Sequence, residues 1–219
     1  MTISNHPSGV IPQPVIEKVF HRRGRLHAFP SIDVMNTALV VIDLDMGTGR
    51  DAPNKHQVAD NVNLLAAAIR KKGGTVAWIT TPIQHATENF RAVFGDDTTD
   101  NYERMGKDGG AATRLWRELL VEPQDVRATK QGHSAFFPGK ATLHEQLKER
   151  QIESIIIVGA VTNVCCEASA RDAAELHYKV TMISDALIGQ SPELDRATLT
   201  TFYRCYGDVR PTLDMLRIM

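Results

Sequence analysis

SIIIVGAVTNVCCEASAR, residues 154–171, changes its hydrophobic habit midway. The first eight residues form an unbroken apolar run rich in β-branched side chains, the pattern of a strand covered on both faces. From Asn163 to Tyr178 the chain reads as a helix instead. A buried strand passing through a short Thr-Asn turn into a helix is half of a βαβ unit.

The same alternation extends in both directions. TALVVIDLD (37–45), TVAWITTP (75–82), DVRATK (125–130) and KVTMISDAL (179–187) read as strands, with a last short one near GDV (207–209). Residues 57–72 carry Val58, Val62, Leu65 and Ile69 at helical spacing and end on Gly73-Gly74. AATRLWRELL (111–120), ATLHEQLKERQ (141–151), a segment opening on Ser191 as N-cap with Pro192 at the first helical position, and a final segment from Pro211 complete the helices. Residues from Pro82 to about 110, rich in Gly, Asp, Thr and Asn, are expected to be a long loop on the active-site side. Residues 1–35, with Pro12, Pro14, Pro30 and the basic run HRRGRLH, are expected to be an irregular arm lying on the domain surface or on a partner subunit. Residues 36–219 then form one domain. Strands alternating with helices through short links predict an α/β fold with a mostly parallel sheet and helices on both faces.

Composition narrows the function. The 219 residues are 42% hydrophobic and 23% charged, with a net charge of −1, which offers nucleic acid or an anionic membrane no electrostatic handle. The basic RRGR at 22–25 reads as a subunit or solvent contact in so neutral a chain. No apolar run reaches the roughly 18 residues of a membrane span, and the first twenty residues lack the layout of a signal peptide. Three cysteines cannot all pair, so a reducing, cytoplasmic setting is expected. Cys165-Cys166 is not a C-x-x-C pair, and without a second Cys/His cluster it makes a poor zinc site.

Folds of this type place their sites at the carboxyl ends of the strands, where three reactive side chains stand. Asp43 interrupts an apolar run, where a carboxylate is costly to bury unless paired or used. Lys130 closes a short strand. Cys165 lies in the first turn of a helix, where free N–H groups and the dipole favour a thiolate. A cysteine, a carboxylate and a lysine suit acyl transfer. Taken singly, each also reads as packing or as a solvated edge residue.

The blocks ALVVID (38–43), TKQGHSAFF (129–137) and GAVTNVCCEASARDA (159–173) resemble the isochorismatase-like cysteine hydrolases, which include nicotinamidases, carbamoylsarcosine amidases and ureidoacrylate amidohydrolases. The resemblance runs from about residue 36 to the C-terminus. It implies a three-layer α-β-α fold with a six-stranded, mostly parallel sheet, and a catalytic triad of Asp43, Lys130 and Cys165. It further implies a cis peptide at Ala160–Val161 and an oxyanion hole made by the backbone N–H groups of Val161 and Cys165. The activity implied is metal-independent amidohydrolysis of a small amide, ureide or carbamoyl compound, with no cofactor, by a cytoplasmic homo-oligomer (dimer or tetramer). Two other readings stay open: vinyl-ether hydrolysis that does not need the cysteine, and a binding subunit without catalysis.

The chain departs from that pattern twice. Asp45 stands where a glutamine is common, and either binds a cationic or hydrogen-bond-donating group or caps a turn. The metal-binding Asp-x-His of nicotinamidases is missing after the second strand, where His85 is alone. Gln84, Phe136, Phe137 and Thr162 are further candidates for substrate contact. One of the two phenylalanines is expected to face the core, and Thr162 and Asn163 to hold the turn that presents Cys165. His133 reads as a substrate contact or a surface-loop residue, Trp78 as core, and Cys166 as packing beside Ala170 and Ala173.

Overall fold

A computed structural model describes residue 6 and residues 8–219. Residues 1–5 and 7 of the expected arm lie outside the described residues. Six strands, β1 (Thr37–Ile42), β2 (Thr75–Thr80), β3 (Val126–Thr129), β4 (Ser154–Ala160), β5 (Lys179–Ile188) and β6 (Asp208–Arg210), form one sheet in the order β3-β2-β1-β4-β5-β6. Every neighbouring pair is parallel. All six residues of β1 and all seven of β4 are buried, as their unbroken apolar runs require of central parallel strands.

Alternation along β1 divides the interior into two cores. Ala38, Val40 and Ile42 join one, with residues from helices α1 (Gln13–Arg23), α5 (Leu143–Glu149), α6 (Glu167–Glu175) and α7 (Pro192–Cys205). Leu39 and Val41 join the other, against α2 (Lys55–Lys71) and α8 (Thr212–Ile218). The result is a three-layer α-β-α molecule. The chain runs outward from β1 to β3 and then returns to the far side of β1 as β4, so the strand order reverses between β1 and β4. A crevice at such a reversal is where ligands bind in open α/β sheets.

Three expectations need correction. The segment after Pro82 is not a long loop but holds α3 (Glu88–Phe94) and α4 (Asp96–Gly106). Thr87 caps α3, its hydroxyl accepting from the Phe90 N–H, and Glu88, Asp96 and Asp97 place acids in the first turns. Arg91 pairs with Asp96 and Asp100, and Phe90, Phe94 and Tyr102 stack together. Residues 111–120 are not an α-helix. A single 3-10 turn at Ala111–Thr113 is followed by extended chain, in which Trp116 N–H donates to Leu44 O (3.0 Å) and Met46 N–H to Arg114 O (2.8 Å). Pairing with the chain beyond β1 outweighs the local helical preference.

The arm is not irregular throughout: α1 spans 13–23 and buries Ile16 and Val19 in the first core. Pro12 and Pro14 sit at its N-cap and first turn, where no intrahelical N–H bond is lost, and Gly24 ends it in a left-handed conformation. The Ser191 N-cap is as the sequence implies, its hydroxyl accepting from Leu194 N–H at 3.3 Å.

Candidate active site

The sheet ladder continues one residue past its ends and sets the site. Asp43 N–H donates to Ile79 O (2.9 Å) and Lys130 N–H to Thr80 O (3.0 Å), so both residues flank the end of β2. Asp43 has φ 50°, a left-handed conformation that aspartate tolerates better than bulky residues, and this turns the chain out of the sheet. On the other side of β1, Gly159 has φ 120°, and a Cβ there would stand 2.1 Å from the Ile42 carbonyl oxygen. Only glycine lets β4 run this close to β1. Beyond it the Ala160–Val161 peptide bond is cis. Residues Thr162–Cys166 then make one wide turn, with Cys166 N–H donating to Val161 O (3.2 Å), before α6 begins.

The three reactive side chains converge from β3, β1 and the turn after β4. Lys130 Nζ lies 2.9 Å from Asp43 Oδ2, 3.0 Å from Gly132 O and 3.4 Å from Cys165 Sγ. Lys130 is 0% exposed and Asp43 4%. Thr81, at the end of β2, donates its hydroxyl to Asp43 Oδ1 at 2.7 Å. A buried ion pair repays its desolvation only with such geometry and with its other polar atoms bonded.

Burial works against the Lys130 ammonium, but the carboxylate of Asp43 and the Cys165 sulfur outweigh it and hold its pKa above the ordinary lysine value. Burial and the charge of Asp43, against the pull of Lys130, push the Cys165 thiol up to about 12. The helix-start thiolate expected of Cys165 is therefore not the resting form. The thiol keeps its proton, with the Asp43 carboxylate and the Lys130 ammonium as its charged neighbours.

Asp45 is buried, and its Oδ1 accepts from Gly47 N–H (2.9 Å). Its main-chain oxygen takes the Trp116 indole N–H at 2.7 Å. It caps a turn. Burial, then the charge of Asp43, raises its pKa to about 7.

Other candidates are placed elsewhere. Phe136 is 2% exposed in the first core, its ring 5.8 Å from that of Tyr178, so it is packing rather than a substrate contact. Phe137 is 54% exposed, making this pair one inward and one outward. The exposed Gln84 amide donates to Asp108 Oδ1 at 3.4 Å. Thr162 is fully buried with no hydrogen-bond partner for its hydroxyl among the described residues, while Asn163 Nδ2 donates to Gln190 Oε1 (2.9 Å). Asn163 braces the turn, and Thr162 has no exposed surface to offer a substrate. The Val161 N–H has no backbone acceptor among the described residues. Cys166 is buried in the first core with Ala170 and Ala173.

Sequence reasoning passed over Thr81, Tyr102 and the closeness of His133. His133 Nδ1 lies 3.9 Å from Cys165 Sγ, and Phe94 stands 6.4 Å from the His133 ring. Burial, then the charges of Cys165, Asp43 and Asp45, raises the Tyr102 phenol. The signals for two of these were legible: Thr81 ends the strand beside Asp43, and His133 follows Lys130 by three residues. Tyr102 arrives on α4 and had none. His85 is exposed and belongs to no cluster of three or more potential metal ligands among the described residues; such a cluster forms from His6, His27 and Asp208.

Comparison with known proteins follows this geometry. The family model for the isochorismatase domain matches residues 33–213. An uncharacterized isochorismatase family protein of Bacillus subtilis, YwoC, is 30% identical over 190 residues, covering 85% of this chain and 95% of the relative. The ureidoacrylate amidohydrolase RutB of Cronobacter sakazakii is 25% identical over 210 residues, covering 82% and 88%. Among solved structures, a cysteine hydrolase from Pseudomonas syringae pv. phaseolicola superposes with a TM-score of 0.79 at 23% identity, covering 89% of this chain and 96% of that one.

Proposed function

The chain belongs to the isochorismatase family of hydrolases, and on that premise we propose that it hydrolyses a small amide, ureide or carbamoyl C–N bond through a thioester on Cys165. The observation that carries this reading is the shared, buried cluster in which Lys130 Nζ touches both Asp43 and the Cys165 sulfur. Asp43 takes the thiol proton as sulfur attacks the carbonyl carbon. Lys130 touches both groups and offsets the negative charge that passes from carboxylate to sulfur. The N–H groups of Val161 and Cys165 are assigned to the oxyanion. Asp43 returns the proton to the departing ammonia or amine, then draws one from the water that cleaves the thioester. The likeness to ureidoacrylate amidohydrolase supports the choice of bond.

A screen of small amides, ureides and carbamoyl compounds for ammonia release identifies the substrate. With it in hand, Cys165→Ala abolishes turnover, Cys166→Ala keeps most of it, and intact-mass measurement finds an acyl adduct on Cys165. Full activity of Cys165→Ala would overturn the thioester route and favour vinyl-ether hydrolysis with the aspartate as acid.

A further inference from the structure

Away from the triad, the N-terminal arm meets the edge strand β6 in a cluster of rings and charges. His27 Nδ1 lies 3.1 Å from Asp208 Oδ1, and His27 Nε2 lies 3.4 Å from Asp214 Oδ2. The ring of His6 packs 5.3 Å from that of His27 and 4.8 Å from that of Tyr203. His6 is 3% exposed and Asp208 is fully buried; His6 Nε2 has no hydrogen-bond partner among the described residues, and Asp208 Oδ2 has an ion-pair contact with Arg210 Nε at 3.4 Å but no hydrogen bond. Unpaired buried polar atoms are costly and call for an explanation.

We propose that His6, His27 and Asp208 form a binding site for one divalent transition-metal ion of the zinc class, which clasps the arm to the edge of the sheet. Their ligand atoms already lie within 4.8 Å of one another. Neighbouring ligands around a tetrahedral zinc with bonds of about 2.0 Å stand about 3.3 Å apart, so His27 Nδ1 and Asp208 Oδ1 are close to that spacing and His6 closes the rest. Two imidazoles and a carboxylate are a donor set suited to zinc, with the fourth position left to water.

The surroundings are those of a ligand shell. A metal-bound histidine gives its other ring N–H to a carboxylate or another acceptor, and Asp214 stands at that place for His27. For His6 the acceptor is Ser8 Oγ, 2.7 Å from Nδ1. The Ser8 amide also approaches Nδ1, at 3.2 Å, and metal binding selects the tautomer in which Nδ1–H donates to the hydroxyl. Arg210 pairs with Asp214 at 2.5 Å and stands 3.4 Å from Asp208, so it offsets part of the local negative charge. The ligands are held in advance: Tyr203 OH donates to Leu26 O (2.6 Å) and Arg210 Nη2 to Phe29 O (2.8 Å).

This site does not serve the hydrolysis. Asp208 is in register, through Thr181 and Ile156, with Leu39, four residues before Asp43 and three strands across. That is about 13 Å along the sheet and about 14 Å across it. Its fate is independent of the triad's.

The test uses the chelator-treated full chain carrying Cys165→Ser, so that the candidate nucleophile takes up no metal, and titrates it with cobalt(II) as a spectroscopic stand-in for zinc. One cobalt per chain, with the visible bands of a low-coordinate ion, is expected. His6→Ala and Asp208→Asn should each weaken binding at least about tenfold, and Asp214→Asn by about 10- to 100-fold. The absence of stoichiometric binding to the unaltered cluster would overturn the proposal and leave an ion-pair clasp between arm and sheet. Binding that survives both His6→Ala and Asp208→Asn would overturn it equally, by placing the metal elsewhere.

Discussion

A lysine with no exposed surface keeps its charge only because an ionised carboxylate lies beside it, and Lys130 and Asp43 stand in that relation at 2.9 Å. Removing one partner strands the other. Lys130→Met is expected to lower unfolding free energy by about 3–5 kcal/mol, read from urea unfolding, together with loss of turnover. Asp45 gives the opposite pH signature from an ordinary paired carboxylate. Its folded pKa of about 7 lies above the ordinary aspartate value of 3.8, so between the two the native carboxyl holds a proton that the unfolded chain has released. Fewer protons bound to the unfolded state means that stability falls as pH rises through that window. Thermal unfolding from pH 4 to 8 should show this decline, and Asp45→Asn should make it shallower. The positions of Asp43, Lys130 and Cys165 were legible because polar side chains at the ends of apolar strands stand out. The protonation of Cys165 was not, since it depends on burial and on a carboxylate brought in from another strand.

The elements that shape the pocket are the ones that composition conceals. The helices α3 and α4 are short, acidic and poor in a buried face, so hydrophobic periodicity passes them by. Their information is in the Thr87 cap, the Arg91 ion pairs and the stacking of Phe90, Phe94 and Tyr102. This pair of helices brings Phe94 to 6.4 Å from the ring of His133, whose Nδ1 lies 3.9 Å from the Cys165 sulfur. Phe94→Ala should therefore raise KM with a stability loss below about 2 kcal/mol, in keeping with a half-buried ring. Steady-state kinetics with the substrate from the ammonia screen, set beside urea unfolding, separates the two effects. Segment 111–120 errs the other way: its helical pattern is real, but Trp116 and its backbone find partners at Leu44 and Asp45.

At the scale of the whole molecule, the arm is part of the body that carries the triad. Ile16 and Val19 of α1 join the core built on β1, β4 and α7. Ile16→Ala is expected to cost about 2–5 kcal/mol in urea unfolding, as for any core truncation, whereas a residue lying loosely on the surface would change stability by less than about 0.5 kcal/mol. The sequence by itself determined the parallel α/β sheet, the order of its strands along the chain, and which end carries the reactive side chains. Those follow from local rules: β-branched runs need cover on both faces, and a costly polar residue at a strand end marks the edge where the chain leaves the core. Only the tertiary structure decided that Cys165 rests as a thiol, that Asp45 caps a turn, that Phe136 faces inward while Phe137 faces out, and that His6 meets Asp208. Each of these depends on burial or on partners distant along the chain, and neither is set until the sheet has brought its strands together.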